Sequence, residues 1–515
     1  MGLDNKNNEK QIINVASFLE DHINRHGKVP SLVFEDKEYT NLWIRDNANR
    51  LANGLISLGI KKGDMVVVSL QNCPEVLVLY QAILRIGAII IPIMFNFSAE
   101  ETQFILSDCE AVAFITSSEA AEKIQISLDM PHINHVIILE DDAPSGTIYY
   151  EKLISDQSDK FEITNMDEDD IALLIYTAGT TGRPKGVMLS YGNLHHHAVA
   201  TYDLWDKEPR RQLSCLPLAH MFGVTAMLID QLNRHPESVF VLMRWFDPEE
   251  IFRLIEKYKI SGMGGVPTMF WILLNDPSIK KYDLSSMDQC VAGAAPVPDE
   301  LRNDFEGKLN INMLEAYGLS ESCSAVACTH HNEARKPGSA GTRIGKTIIK
   351  IFDDTDNELP AGESGEIVIK GPTVMKGYYK RLEETKATLR GGWLHTGDVG
   401  YMDEDGYLYV TDRKKDMIIK GGENILPSEV ENILLKHPQV AEAAVIGFPD
   451  KKYGEDVMAF VIKEADEEVT EEDIIAHCHR NYTKFKSPTK IQFIDNIPKS
   501  LVGKILKKEL RGIIK

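Results

Sequence analysis

Cysteine is scarce in this sequence and nowhere paired. Seven residues, Cys73, Cys109, Cys215, Cys290, Cys323, Cys328 and Cys478, are scattered over 515 positions with no Cys-x-x-Cys among them. That excludes a disulfide framework and a zinc knuckle and points to reduced thiols. Long apolar runs are missing too. The richest, residues 87–95 (GAIIIPIMF), falls well short of the ~20 residues a bilayer takes and reads as a buried parallel strand. The chain starts on a polar segment, Met1-Gly-Leu-Asp-Asn-Lys-Asn-Asn, with no apolar signal core, and its Gly-Ile-Ile-Lys tail is no peroxisomal address. A soluble cytoplasmic protein without a membrane span is expected. Basic charge is in deficit: 56 Lys and Arg stand against 77 Asp and Glu, a net charge of −21. The overall field therefore opposes nucleic acid and anionic membranes, and no nucleic-acid partner is expected. A local ring of backbone N–H groups and lysines can still hold a small anion. Internal repeats and low-complexity tracts are absent.

What is present is an ordinary globular composition, 43% hydrophobic and 26% charged. The chain is long enough for about three domains at roughly 150 residues each. Up to about residue 410, short apolar runs (65–70, 112–116, 136–139, 171–177) alternate with amphipathic stretches (40–58, 74–86). This predicts α/β architecture with largely parallel sheets. Residues 365–411 carry short strands with frequent Gly and turn signals, a small β-rich subdomain. Asp412-Arg-Lys-Lys-Asp416 is a charge cluster between two apolar runs, as a linker would be. Beyond it, helices at 428–435 and 471–480 and strands at 443–447 and 457–462 make a small α+β domain. The expected division is 1–411, a hinge at 412–416, and 417–515.

The sharpest local signal is Tyr176-Thr-Ala-Gly-Thr-Thr-Gly-Arg-Pro-Lys-Gly-Val187. It begins where a strand ends. Glycines let backbone approach an anion, hydroxyls and N–H groups wrap phosphate oxygens, and Lys185 adds charge. The order Gly179-x-x-Gly182-x-x-Lys185-Gly186 is not that of a Walker A loop.

This segment resembles the signature loop of the adenylate-forming superfamily, which contains acyl-CoA synthetases, beetle luciferases and peptide-synthetase adenylation domains. The family usually has Ser-Gly-Thr where this chain has Ala178-Gly179-Thr180, so one hydroxyl is missing while Thr177, Thr180 and Thr181 remain. Other segments resemble further family motifs, in the expected order over nearly the whole chain. Pro217-Leu-Ala-His-Met-Phe-Gly223 resembles the border of the acyl pocket, with His220 gating the carboxylate and Met221, Phe222, Val266 and Gly293 lining the pocket. Gly293-Ala294-Ala295-Pro296 resembles the adenine-contacting turn. Glu315-Ala316-Tyr317-Gly318-Leu-Ser320-Glu321 resembles Tyr-Gly-x-Thr-Glu, with Ser320 keeping the hydroxyl. The resemblance lays Tyr317 on adenine and gives Mg²⁺ to Glu321, with Thr177 a second metal contact. It further implies that Asp398 in Trp393-Leu-His-Thr-Gly-Asp-Val-Gly400 takes the ribose hydroxyls with Arg413, that Lys415 is the hinge, that Gly421, Gly422 and Glu423 border the coenzyme A path, and that Lys504 in Pro498-Lys-Ser-Leu-Val-Gly-Lys504 is the catalytic lysine. His195-His196-His197 is not read as a metal site, because three consecutive helical residues fan around the axis.

The expectation is an ATP- and Mg²⁺-dependent acyl-CoA synthetase that makes an acyl-adenylate and then a thioester. The acyl segments carry no basic residue for a second carboxylate, favouring a medium- or long-chain fatty acid; an aromatic acid of benzoate or coumarate type stays open. A stand-alone adenylation enzyme loading a carrier protein, luciferase-like oxidation and a non-catalytic nucleotide binder are the other readings. Their weak points are the acyl motif without a carboxylate, the tail without a targeting signal, and the joint presence of Lys185, Glu321, Asp398, Arg413 and Lys504. Oligomeric state is not legible, a homodimer being one option.

Overall fold

The computed structural model describes residues 13–124, 132–141, 144–177, 184–204, 209–232, 235–295, 297–330, 333–464, 469–499 and 505–514. Expected site residues 178–182 and 504 lie outside these ranges, as does Pro296.

Helix starts follow local chemistry. Thr40 accepts a hydrogen bond from the Trp43 N–H and opens the helix Asn41–Ser57. Ser98 with Glu101, Ser190 with Asn193 and Thr470 with Asp473 form reciprocal capping boxes, each satisfying N–H groups the first turn would leave open. Pro74 starts the helix Pro74–Ile86, and Gly87, at φ 76°, ends it.

Among the described residues the strands form four sheets. An eight-stranded sheet runs Gly377–Tyr378, Lys185–Ser190, Ile171–Thr177, Ile89–Pro92, Met65–Ser69, Ala113–Thr116, His135–Ile138 and Ile148–Tyr149. It is parallel from Ile171–Thr177 onward and antiparallel at the Lys185 edge. The run within residues 87–95 becomes Ile89–Pro92, buried throughout, as a strand covered on both faces must be. A nine-stranded sheet has a parallel centre through Asn312–Leu319, Gln289–Ala292, Gly262–Gly265, Arg211–Ser214 and Val239–Leu242. A four-stranded antiparallel sheet, Ile348–Phe352, Gly365–Lys370, Leu394–Met402 and Leu408–Arg413, is the expected β-rich part. Its last strand runs into the segment read as a linker, because Arg413 and Asp398 face each other in register and prolong the pairing.

The C-terminal domain has its own five-stranded sheet and its own two apolar clusters, around Val445, Val457 and Ile474 on one face and Ile446, Phe460 and Leu510 on the other. The protein is thus a large N-terminal α/β domain followed by a small α+β one. All seven cysteines are buried and unbonded. No helix among the described residues is long and apolar enough to cross a membrane.

Candidate active site

In open α/β sheets, ligands bind beyond the carboxyl ends of the strands, where loops and helix starts meet. Here Ile171–Thr177 leads to the threonine-glycine loop, Gly262–Gly265 to Val266, Gln289–Ala292 to Gly293–Ala295, and Asn312–Leu319 to Glu321. Parallel pairing of the last three aligns those ends side by side.

Tyr317, Asp398 and Arg413 meet directly. Cross-strand register sets Arg413 opposite Asp398, and its Nε lies 3.0 Å from Asp398 Oδ1. The Tyr317 hydroxyl donates to Asp398 Oδ2 at 2.7 Å. Asp398 is only 4% exposed, yet both carboxylate oxygens have partners, which offsets the cost of burying the charge. Burial, with the Asp398 charge added, holds the Tyr317 hydroxyl well above its usual pKa, so it stays a donor. The turn is fixed from behind: the Asp398 N–H donates to Thr396 Oγ1 at 3.0 Å and the Gly397 N–H to Glu366 Oε1 at 3.1 Å. Gly397 sits at φ 70°, which a side chain would strain.

Glu321 stands on a one-turn 3-10 helix, Ser320–Ser322, between Asn312–Leu319 and the return strand Ser324–Cys328. The reversal is tight: a Cβ on Gly318 would come 1.9 Å from the Ser324 carbonyl oxygen. Cys323 and Ser324 both adopt positive φ, 61° and 83°. Such strain persists only where the surroundings over-determine it, and here it carries a carboxylate at its apex. Glu321 Oε1 accepts from the Tyr378 hydroxyl at 2.9 Å. The Lys185 ammonium lies 5.5 Å from the Tyr378 ring centre and is ion-paired with Glu384. Thr177 is Lys185's partner in the hairpin register.

His220 precedes the helix Met221–Gln231, and its Nδ1 accepts the Phe222 N–H at 3.3 Å. That acceptor role puts the ring proton on Nε2, and burial pushes the imidazole's pKa down. The Phe222 ring lies across two glycines; a Cβ at Gly264 or Gly293 would come 3.1 or 3.4 Å from it. Met221 packs in the main apolar core and Val266 is buried. Ala294, exposed, holds φ 69° without being glycine.

The remaining expected residues have settings of their own. Glu315 is turned to Arg302, which also binds Asp299, so it anchors the helix Asp299–Leu309. Ala316, Gly318 and Ser320 are half-buried beside Tyr317 and Glu321, and Ala295 is half-buried next to Ala294. Lys415 is exposed in the turn Lys414–Asp416. Gly421, Gly422 and Glu423 are exposed; the two glycines adopt φ 57° and 87°. A Cβ on Gly421 would come 3.2 Å from Tyr453 and 3.3 Å from Phe485. His195, His196 and His197 lie on the helix Tyr191–Tyr202, where burial lowers the pKa of each. Tyr378, Glu384, Glu366 and Thr396 went unnoticed in the sequence. Glu366 and Thr396 support the Asp398 turn, and only spatial contact singles out Tyr378 and Glu384.

This arrangement can present a hydrogen-bonded carboxylate and a guanidinium to a diol, and a carboxylate and an ammonium to a metal-bound polyphosphate. Comparison with known proteins agrees. Residues 19–379 match the AMP-binding enzyme family and residues 429–504 the AMP-binding enzyme C-terminal domain. A long-chain-fatty-acid–CoA ligase of Bacillus subtilis is 35% identical, over 96% of this chain and 94% of that protein. A feruloyl-CoA synthase of an Amycolatopsis species is also 35% identical, over 90% and 91%. Among solved structures, ATP-bound MatB from Rhodopseudomonas palustris superposes with a TM-score of 0.91 at 30% identity, covering 98% and 99% of the two chains. The chain belongs to the AMP-binding enzyme family and is an AMP-forming acid–CoA ligase.

Proposed function

We propose that this enzyme activates a medium- or long-chain fatty acid to its adenylate and passes the acyl group to coenzyme A, in the cytoplasm, with ATP and Mg²⁺. What supports the substrate class is that Phe222 packs against Gly264 and Gly293 and that Val266 is buried, with no charged side chain among the four to pair a second carboxylate. The fatty-acid–CoA ligase of Bacillus subtilis supports the same reading. The feruloyl-CoA synthase, at equal identity, supports the second, an aromatic acid.

A carboxylate oxygen leaves poorly, so the acid is first joined to the α-phosphate and AMP becomes the leaving group. The chain's part is positioning and charge neutralisation. Asp398 accepts the ribose hydroxyls while Arg413 and Tyr317 hold it in place. Tyr317 and the Gly293–Ala295 turn flank the base. Thr177, Lys185 and the intervening loop take the phosphates. Glu321 fits Mg²⁺: Tyr378 fixes one of its oxygens, and Mg²⁺ is held by one or two carboxylates plus substrate phosphates rather than a full protein cage. Thr177 is a second contact, and when bound the metal neutralises phosphate charge. Neutral His220, with its proton on Nε2, can face the acid's carboxylate without trapping it as a salt. Lys504 adds charge in the first half-reaction. The C-terminal domain (417–515) then turns about Lys415, within the 412–416 hinge, and brings Gly421–Glu423 to the thiol path.

The reading is tested by AMP release across straight-chain acids of graded length and across benzoates and hydroxycinnamates. It predicts a maximum among chains of about ten carbons or more, enough to cover an apolar wall at ~0.8 kcal/mol per methylene. A maximum among ring acids would replace it with the aromatic reading, and no AMP with any acid would overturn both.

A further inference from the structure

Lys185 is already engaged by a carboxylate of its own chain. Its ammonium pairs with Glu384 on the helix Leu382–Thr388, the two side chains being 15% and 37% exposed. The pair is held in place from several sides. The Tyr378 ring lies beside the ammonium, the Tyr378 N–H donates to Thr385 Oγ1 at 2.9 Å, and the Tyr379 N–H donates to the Gly186 carbonyl at 2.8 Å. Arg381, one residue before the helix, is tied to Asp108 at 2.9 Å. The segment bearing Glu384 is thus pinned to the strand bearing Lys185. Its neighbour Glu383 is 84% exposed and pairs with Lys386 instead.

A carboxylate and a phosphate oxygen are equivalent acceptors for one ammonium, and both draw charge-assisted bonds from it. An incoming polyphosphate therefore meets a lysine that is occupied and a negative charge beside it. We propose that Glu384 is a built-in competitor for the nucleotide's triphosphate: it holds Lys185 until the β- and γ-phosphates displace it, and takes the lysine back as pyrophosphate leaves. This rests on the reading of Lys185 as a phosphate contact. The same carboxylate that weakens nucleotide binding speeds product release, since both steps exchange the same two acceptors.

The size of the effect follows from the pair. An ion pair that is partly exposed, as this one is, is weak, and apparent affinity is reduced by the fraction of protein whose site is free to bind. A penalty of about fivefold in nucleotide affinity is expected. The test uses the full chain with Mg²⁺ and no acid, so that no turnover occurs, and measures binding of ATP, inorganic pyrophosphate and AMP by calorimetry. Glu384→Gln is expected to bind ATP and pyrophosphate about fivefold tighter and AMP, which lacks the displaced phosphates, unchanged. Glu384→Ala should move in the same direction and Glu383→Gln not at all. In a Lys185→Ala background the Glu384→Gln gain should vanish. Wild-type or weaker ATP affinity in both Glu384 variants, equal tightening of AMP, a matching gain in Glu383→Gln, or a gain that survives loss of Lys185 would each overturn the proposal. If Lys185→Ala weakens ATP while the Glu384 variants change nothing, only this inference fails; if Lys185→Ala leaves ATP affinity untouched, the phosphate reading fails with it.

Discussion

The proposed nucleotide side and the proposed thiol side of this enzyme are built differently. On the first, Asp398 is buried and bonded to Tyr317 and Arg413, and Glu321 is bonded to Tyr378. Each of these residues sits on or beside a paired strand of the large domain. On the second, Gly421, Gly422 and Glu423 lie exposed on the small domain's first hairpin. A half-reaction that depends on exact charge placement uses groups locked by packing. One that needs room for a long flexible thiol arm is served, on the proposed reading, by exposed glycines in a turn. On the proposed reading, preorganisation and access thus fall mainly to different segments of the chain.

The contrast breaks most visibly at Asp398. Asp398→Ala removes the shared partner of Tyr317 and Arg413, and kcat/KM for ATP should fall about 100-fold or more, the usual loss of a buried charged contact to substrate. Steady-state AMP formation at graded ATP measures it. A loss under about fivefold would mean that the cluster is a structural ion pair and not the ribose site.

Gly421→Leu probes the thiol side. At φ 57° a side chain is strained, and its Cβ meets Tyr453 and Phe485, so the small domain should lose about 1–2 kcal/mol. Thioester formation from supplied acyl-adenylate should slow about tenfold or more while adenylate formation stays near wild type. Stopped-flow assays of each half-reaction separate the two. Wild-type thioester rates would show that this loop does not border the thiol path.

A smaller effect concerns acid. Burial lowers His22 from 6.5 to about 4, with His26 and Arg25 adding to the shift, and lowers buried His197 to about 4 as well. The folded state binds these protons less readily than the unfolded chain. Stability is therefore fully present above pH 6.5 and is lost as pH falls from 6.5 towards 4. Both residues belong to the large domain, so its melting transition should drop by several degrees over that window and the small domain's by less. Scanning calorimetry at stepped pH checks this, and a parallel shift of both transitions would remove the asymmetry.

Much of the candidate site was legible because its residues fall in recognisable strings. Tyr317, Glu321, Asp398 and Arg413 were all named from their motifs, and the structure brings three of them into one cluster. The helix at 74–86 and the strand at 171–177 were legible from pattern. What stayed hidden was spatial. Tyr378 and Glu384 reach Glu321 and Lys185 only because Gly377–Tyr378 pairs antiparallel with Lys185–Ser190, and nothing local announces a pairing across almost two hundred residues. Positive φ at Ala294, Cys323 and Ser324 was equally silent, since none is glycine. Glu315 was named within the nucleotide motif, and its pairing with a buried arginine of the adjacent helix was not legible there. The charge cluster at 412–416 read as a linker, whereas cross-strand attraction keeps its first two residues in a strand.

The central proposal, that adenylate formation draws on Lys504 and thioester formation on the Gly421–Glu423 segment, meets its most direct test in Lys504→Ala. Single-turnover rates would be measured for acyl-adenylate formation from ATP and acid, and for thioester formation from supplied acyl-adenylate and coenzyme A. The account predicts that the first falls about 100-fold or more while the second stays within about twofold of wild type. Equal loss of both rates, or retention of both, would contradict it.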